Sequence, residues 1–286
     1  MPLNNSEKNE IYEGVYIGAI TVLNLPVNLY ESTAKTLQKS VYKGYGSTLK
    51  SAEIASPEWL LLNDFRENVN IFSGAKTFDQ IKESQRLILD ESGVLRPFNK
   101  YLADVKEIDS LYNVNWLKTE AQTAIAQAQS ARQFNEFERD KELFPLLMYH
   151  TQGDERVRLS HAVLDGFTAP VNDSYWSSIM PINDYGCRCW VEQLEKGERS
   201  TKEWEEERVS EYNKEVSKYN ETTRGKKVTE INTLKDVPEP LFKMNPAKDR
   251  IIFKNEGIGS HPYFKVDQAF EVYKMTNFGM DINYGL

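Results

Sequence analysis

Two cysteines separated by a single residue, Cys187 and Cys189, and a histidine 26 residues upstream, His161, are the side chains of this chain best suited to chemistry. Thiolates and imidazole are good Zn²⁺ ligands. Alternate residues of an extended segment point to the same side, so the two cysteines can chelate one ion. A loop rich in turn residues could fold back to bring His161 alongside, with Asp165, His150 or a water as fourth ligand. A C-x-C pair is a less typical zinc spacing than C-x(2–4)-C. Two other readings stand beside the metal. In one, both cysteines are reduced packing residues and His161 is a hydrogen-bonded turn histidine, since free cysteine is among the most buried residue types. In the other, Cys187 and Cys189 form a disulfide, which parallel side chains would strain.

Catalytic chemistry fits these residues less well. Zinc deaminases pair H-x-E with P-C-x-x-C, whereas the residue two after His161 is Val163 and the cysteine spacing differs. The chain has no H-E-x-x-H zincin motif, no P-loop and no dinucleotide glycine pattern. A cysteine nucleophile working with His161 would need an oxyanion hole that no motif marks. Arg156, Arg158 and Arg188 could hold a phosphate, but pairing with Asp154, Asp165, Asp173 or Asp184 costs less. A metal-dependent or phosphate-processing enzyme built on His161, Cys187 and Cys189 is therefore the alternative, and a non-enzymatic role the expectation.

The elements that must position these side chains follow from periodicity and turn chemistry. Leu146–Tyr149 is a short apolar run suited to a buried strand, and Cys189–Leu194 resembles a strand leaving the site. Between them Gly153, Asp165-Gly166, Asn172-Asp173-Ser174, Asn183-Asp184 and Gly186 supply dense turn signals. Upstream, Leu29, Thr33, Leu37 and Val41 recur at helical spacing and Gly44 and Gly46 stop the pattern. Ser56-Pro57-Glu58 reads as a cap, an N1 proline and a first-turn acid, opening a stripe of Trp59, Leu62, Phe65, Val69 and Phe72. Ser73-Gly74 is expected to break that helix before a third one carrying Phe78, Ile81 and Ile88. Tyr101, Val105 and Ile108 mark a short helix, and residues 113–138 a long one rich in alanine and glutamine. Residues 201–220 return to helix, with acids near the N-terminal end that complement its dipole. Ile251-Ile252-Phe253 reads as a short strand in a proline-bearing tail.

The expected fold class is α+β: a helical N-terminal half, a small turn-rich strand-containing module with the Cys-x-Cys/His motif, and a C-terminal helix plus extended arm. Expected regions are 1–94, 95–200 and 201–286. The aromatic stripes of residues 59–72 and 116–137 are candidates for a partner surface, with internal core as the alternative.

Composition narrows the partners. The net charge of −8 and a pI near 5.2 repel phosphate backbones and anionic lipid surfaces. Arg224-Gly225-Lys226-Lys227 is the one compact basic stretch, and acids flank it. Two cysteines do not make a secreted disulfide framework, so a reducing compartment is expected. No export signal is visible, and the apolar run from Val15 to Tyr30 is interrupted and too short for a membrane span, so a soluble protein is expected.

The order of residues around the cysteines resembles the phage Mu F-like minor head protein family, also called phage head morphogenesis proteins. It is carried by Arg156-Val157-Arg158, His161, Leu164-Asp165-Gly166, Asp173 with Tyr175-Trp176, Pro181, and Tyr185-Gly186-Cys187-Arg188-Cys189. The helix at Asn115–Glu120 and, less specifically, the segments at Phe242–Pro246 and His261–Phe264 extend it over most of residues 95–264. Family members often have two prolines before the glycine-cysteine turn; here Ile182 follows Pro181. The resemblance implies a virion or procapsid component of a tailed phage or prophage, assembled in the bacterial cytoplasm. Its implied partners are the portal and other head proteins, with packaged DNA reached through local patches. Some family members are fused to toxin domains; residues 201–286 are too short and too poor in catalytic groups to suggest one.

Overall fold

The computed structural model describes residues 3–225 and 227–264. Lys226, the centre of the basic stretch, and the residues after Phe264 lie outside the described residues. The chain forms two compact units. Among the described residues, one comprises 3–125 together with 251–264, and the other comprises 126–225 and 227–250. The fold is α+β: a helical N-terminal half precedes a three-stranded antiparallel sheet.

Among its described residues the first unit is built from helices. Helix α1 (Asn5–Tyr16) starts at Asn4, whose side chain accepts from the backbone N–H of Ser6 and Glu7 while the Glu7 carboxylate accepts from the N–H of Asn4. Helix α2 (Val27–Tyr45) ends at Gly46, which adopts a left-handed φ of 80°. Gly44 is not part of the stop; it lies inside α2, where a Cβ would come within 2.1 Å of the Ile125 carbonyl oxygen. Helix α3 (Pro57–Arg86) is capped by Ser56, whose hydroxyl accepts from the N–H of Trp59 at 3.1 Å.

The expected break at Ser73-Gly74 does not occur, because α3 runs through it for 30 residues. Packing overrides the local signals: Gly74 is buried in the helix and the Ser73 hydroxyl is satisfied by the Val69 carbonyl at 2.7 Å. The stripe from Leu62 through Phe65, Val69 and Phe72 is fully buried, so those aromatic positions are internal core rather than partner surface. Helix α4 (Phe98–Ser110) passes through a π-helical turn (Leu111–Trp116) into α5 (Leu117–Asp140).

Residues 251–253 form no strand. Asn68 of α3 supplies what a neighbouring strand would. Its side-chain oxygen accepts from the N–H groups of Ile252 (3.0 Å) and Phe253 (2.8 Å), and its amide donates to the Phe253 carbonyl (2.9 Å). The Phe253 ring stacks on Phe72 at 3.9 Å, and His261 and Tyr263 meet the same ring edge-on. Beside them Lys76 and Glu120 form a buried ion pair.

The second unit is organised around the sheet. Strand β1 (Leu146–His150) lies between β2 (Thr168–Pro170) and β3 (Trp190–Leu194), with Leu147 opposite Ala169 on one side and Gln193 on the other. Alternation along β1 sends Leu147 and Tyr149 into the core, where they join Phe134, Leu164, Phe167, Trp176 and Val191. In the second aromatic stripe Phe134 and Phe137 are core residues, whereas Trp116 is exposed. Helix α7 (Lys202–Thr222) is capped by Thr201 and contributes Val209, Tyr212 and Val216 to this core. Among the described residues no helix is long and apolar enough to cross a membrane.

Candidate metal centre

The chain returns to one place three times in the second unit. His161 lies on α6 (Leu159–Ala162), a single turn opened at Arg158 by the extended backbone that precedes it. Cys187 closes a turn in which its N–H donates to the Asp184 carbonyl at 3.1 Å and Gly186 takes a φ of 67°. A side chain at Gly186 would be strained at that angle, which explains the glycine before the first cysteine. Cys189 then enters β3, and β1 places Tyr149 beneath the pair.

His161 Nδ1 lies 3.6 Å from Cys187 Sγ and 3.7 Å from Cys189 Sγ. All three donor atoms are within 4.8 Å of one another. Zn–S bonds of about 2.3 Å and Zn–N bonds of about 2.05 Å at tetrahedral angles require sulfur–nitrogen edges of about 3.6 Å. Both observed edges meet that requirement, so the donor set fits three corners of one tetrahedral ion by element and spacing. Neither cysteine is in a disulfide.

The electrostatics favour an anion at Cys187. The Cys187 thiol is pushed down to about 4, first by the hydrogen bond from Cys189 and then by His161 and the N–H of Asn183, against the opposing effect of burial. Cys189 moves the other way because Cys187 sits beside it and because it is buried. Tyr149, pushed well above its ordinary range mainly by burial, remains a phenol and donates to Cys189. The Asn183 amide in turn donates to the Tyr149 oxygen at 2.8 Å. Each sulfur therefore has a fixed hydrogen-bond donor, the kind of outer partner that orients metal ligands.

The remaining candidate residues fall into other roles. Asp165 is not in the cluster; its carboxylate accepts from the N–H and hydroxyl of Thr151 at 2.6 and 3.0 Å. His150 bonds Glu192 at 3.0 Å and stacks on Trp190. Arg188 grips Asp154 through two hydrogen bonds of 2.8 and 2.6 Å. Arg158 ties to the Tyr185 carbonyl at 2.7 Å and to Asp184 at 2.9 Å. These two arginines lock the loop before His161 to the loop that holds the cysteines. Arg156 is exposed above them. Gly166 takes a φ of 83° and donates its N–H to the Tyr149 carbonyl. Trp176 is buried with its indole N–H on the Pro170 carbonyl at 2.9 Å, and the Pro181 carbonyl accepts from the Ser130 hydroxyl. Every residue of the sequence motif except Arg156 thus holds a turn, a loop or the core.

Sequence reasoning missed Tyr149, Asn183 and Gln152, whose amide bonds the Arg188 carbonyl at 3.1 Å. Alternation along β1 signals that Tyr149 is buried, but no local pattern signals that its hydroxyl meets a sulfur.

Residues 96–192 match the family described as "Phage Mu protein F like protein", so the resemblance read from the motif holds over that segment. The chain is also similar to the Mu-like prophage FluMu F protein of Haemophilus influenzae, at 36% identity over 78 residues. That alignment covers 27% of this chain and 18% of the relative, so the chain spans less than a fifth of the relative's length there. No solved structure matches the chain.

Proposed function

We propose, from the Mu F-like segment at residues 96–192, that this chain is a minor head protein of a tailed phage or prophage. It acts in head morphogenesis at or near the portal and does so by protein–protein interaction rather than by catalysis. The observation that carries this reading is the family match over the segment that forms the metal centre and most of the sheet. The acidic charge of −8 supports protein partners over non-specific contact with packaged DNA. The motif residues support it too, since they serve to fold the segment instead of lining a substrate pocket. The expected location is the procapsid or virion. A tagged copy expressed during induction should co-purify with portal-containing heads. Normal, infectious heads assembled without the protein would refute the role.

Within that role we read the cluster of His161, Cys187 and Cys189 as a structural Zn²⁺ site that staples the α6 turn to the start of β3. The supporting observation is the pair of tetrahedral edges at 3.6 and 3.7 Å. Purified protein should carry one zinc per chain, and metal-free protein at the same purity would refute the staple.

A further inference from the structure

A tetrahedral ion has four positions, and this cluster fills three. Among the described residues no other histidine, cysteine or carboxylate joins the group. The two acceptable candidates in sequence are engaged elsewhere, Asp165 by Thr151 and His150 by Glu192. The three ligand residues instead line a small cleft with Gln152, Arg156 and Arg188, whose cavity is about 20 Å³. A volume of roughly 10–15 Å³ holds one water-sized group. The space above the ligands therefore admits one donor atom and not a large substrate.

Charge selects the kind of donor. Two thiolates neutralise Zn²⁺, so a fourth anionic ligand makes the centre negative and needs a nearby cation. Arg188 and Arg158 are already paired with Asp154 and Asp184. Arg156 also lines the cleft; its charge acts on Asp154, but it forms no close ion pair among the described residues. An anionic oxygen donor on a planar group suits both a single open position and a guanidinium fork beside it.

We propose that the metal at His161, Cys187 and Cys189 keeps its fourth position open to the Arg156 cleft and takes one carboxylate from outside the chain. This rests on the zinc reading above, and it converts the staple into a docking point for an acidic group. The ligand substitution is simple: a carboxylate oxygen replaces a bound water, with no change in oxidation state.

The full-length protein loaded with Co²⁺ in place of zinc tests this, because its visible absorption reports the ligand field. One Co²⁺ per chain with a four-coordinate spectrum is expected, and acetate should shift that spectrum saturably with one binding event. Reversing the charge by Arg156→Glu should weaken acetate by at least roughly tenfold, since a two-unit change of charge beside the cleft acts on an anionic ligand even through bulk water, while metal content stays unchanged. A blocked peptide carrying one glutamate distinguishes the source. Saturation below the acetate concentration assigns the position to an acidic side chain of a protein, and the reverse assigns it to a free carboxylate. Failure to bind Co²⁺ overturns the metal reading itself. Stoichiometric Co²⁺ whose spectrum ignores both acetate and peptide overturns the open position while leaving the staple intact. An acetate affinity unaffected by Arg156→Glu overturns the cleft as the approach.

Discussion

Replacing Asn68 with alanine should detach residues 251–264 from α3. Asn68 is 4% exposed, and its side chain holds three backbone groups at 2.8 to 3.0 Å. Two outcomes are available to Asn68→Ala. If the segment stays in place, two N–H groups and one carbonyl remain buried without partners, at about 1–3 kcal/mol each. If it peels away, water satisfies those groups but the burial of Ile252 and Phe253 is lost, at about 1.5–3 kcal/mol per side chain. The chain takes the cheaper route. Both estimates begin near 3 kcal/mol, so a destabilisation of about 3–5 kcal/mol follows on either. Urea unfolding of the full chain measures the total. Amide hydrogen exchange at Ile252 and Phe253 separates the routes, because only peeling exposes those N–H groups before global unfolding. Asn63→Ala on the same helix is the control, since Asn63 bonds only helix neighbours, Arg66 and Glu67, and should cost within about 0.5 kcal/mol. A loss below about 1 kcal/mol in Asn68→Ala with unchanged exchange would refute the grip.

Gly44→Ala should destabilise the first unit although alanine is the better helix former by about 1 kcal/mol. The new Cβ would lie 2.1 Å from the Ile125 carbonyl oxygen, a backbone atom that cannot rotate away, and a raised thermal midpoint in Gly44→Ala would contradict that contact. His261 supplies a pH dependence: burial and the nearby Lys76 cation push it from 6.5 down to about 3, and its Nδ1 accepts from the Tyr263 N–H at 3.3 Å. Because the folded value is depressed, the stabilisation is complete above pH 6.5 and is lost as pH falls toward 3, at roughly 1.4 kcal/mol per pH unit. Urea midpoints of the native chain should therefore fall more steeply between pH 6.5 and 4.5 than those of His261→Phe, and parallel curves would exclude His261 as the source.

Much of the architecture is legible in local chemistry. Ser56 and Thr201 sit at helix starts because their hydroxyls accept third-residue N–H groups, and sequence position suffices to read that. The apolar run at Leu146–Tyr149 forms β1, and the run ending at Leu194 forms β3. Helix α1 carried a readable signal as well, since Asn4 and Glu7 stand at capping-box spacing. What was not legible depends on partners distant in sequence. Ser73-Gly74 looks like a break until burial satisfies it, and Asn68 meets Phe253 across 185 residues, beyond any periodic pattern. The turns also hid a distinction that only pairing reveals. Gly44 and Gly46 are alike in sequence, yet one admits a neighbouring backbone and the other ends a helix.

The candidate site divides along the same line. Spacing alone makes Cys187 and Cys189 a chelating pair, because alternate residues share a side. The place of His161 in the cluster depends on Arg158 and Arg188, whose carboxylate and carbonyl partners fasten the two loops together. The arginines that first suggest phosphate binding are thus the fasteners that bring the sulfurs to the imidazole. Asp165 shows the converse. Its distance of four residues from His161 suits a ligand, but the backbone of Thr151 claims its carboxylate first. Both Thr151 bonds fall on one oxygen of that carboxylate and hold the side chain outside the donor cluster, so a separation that would suit a ligand serves to anchor a loop instead.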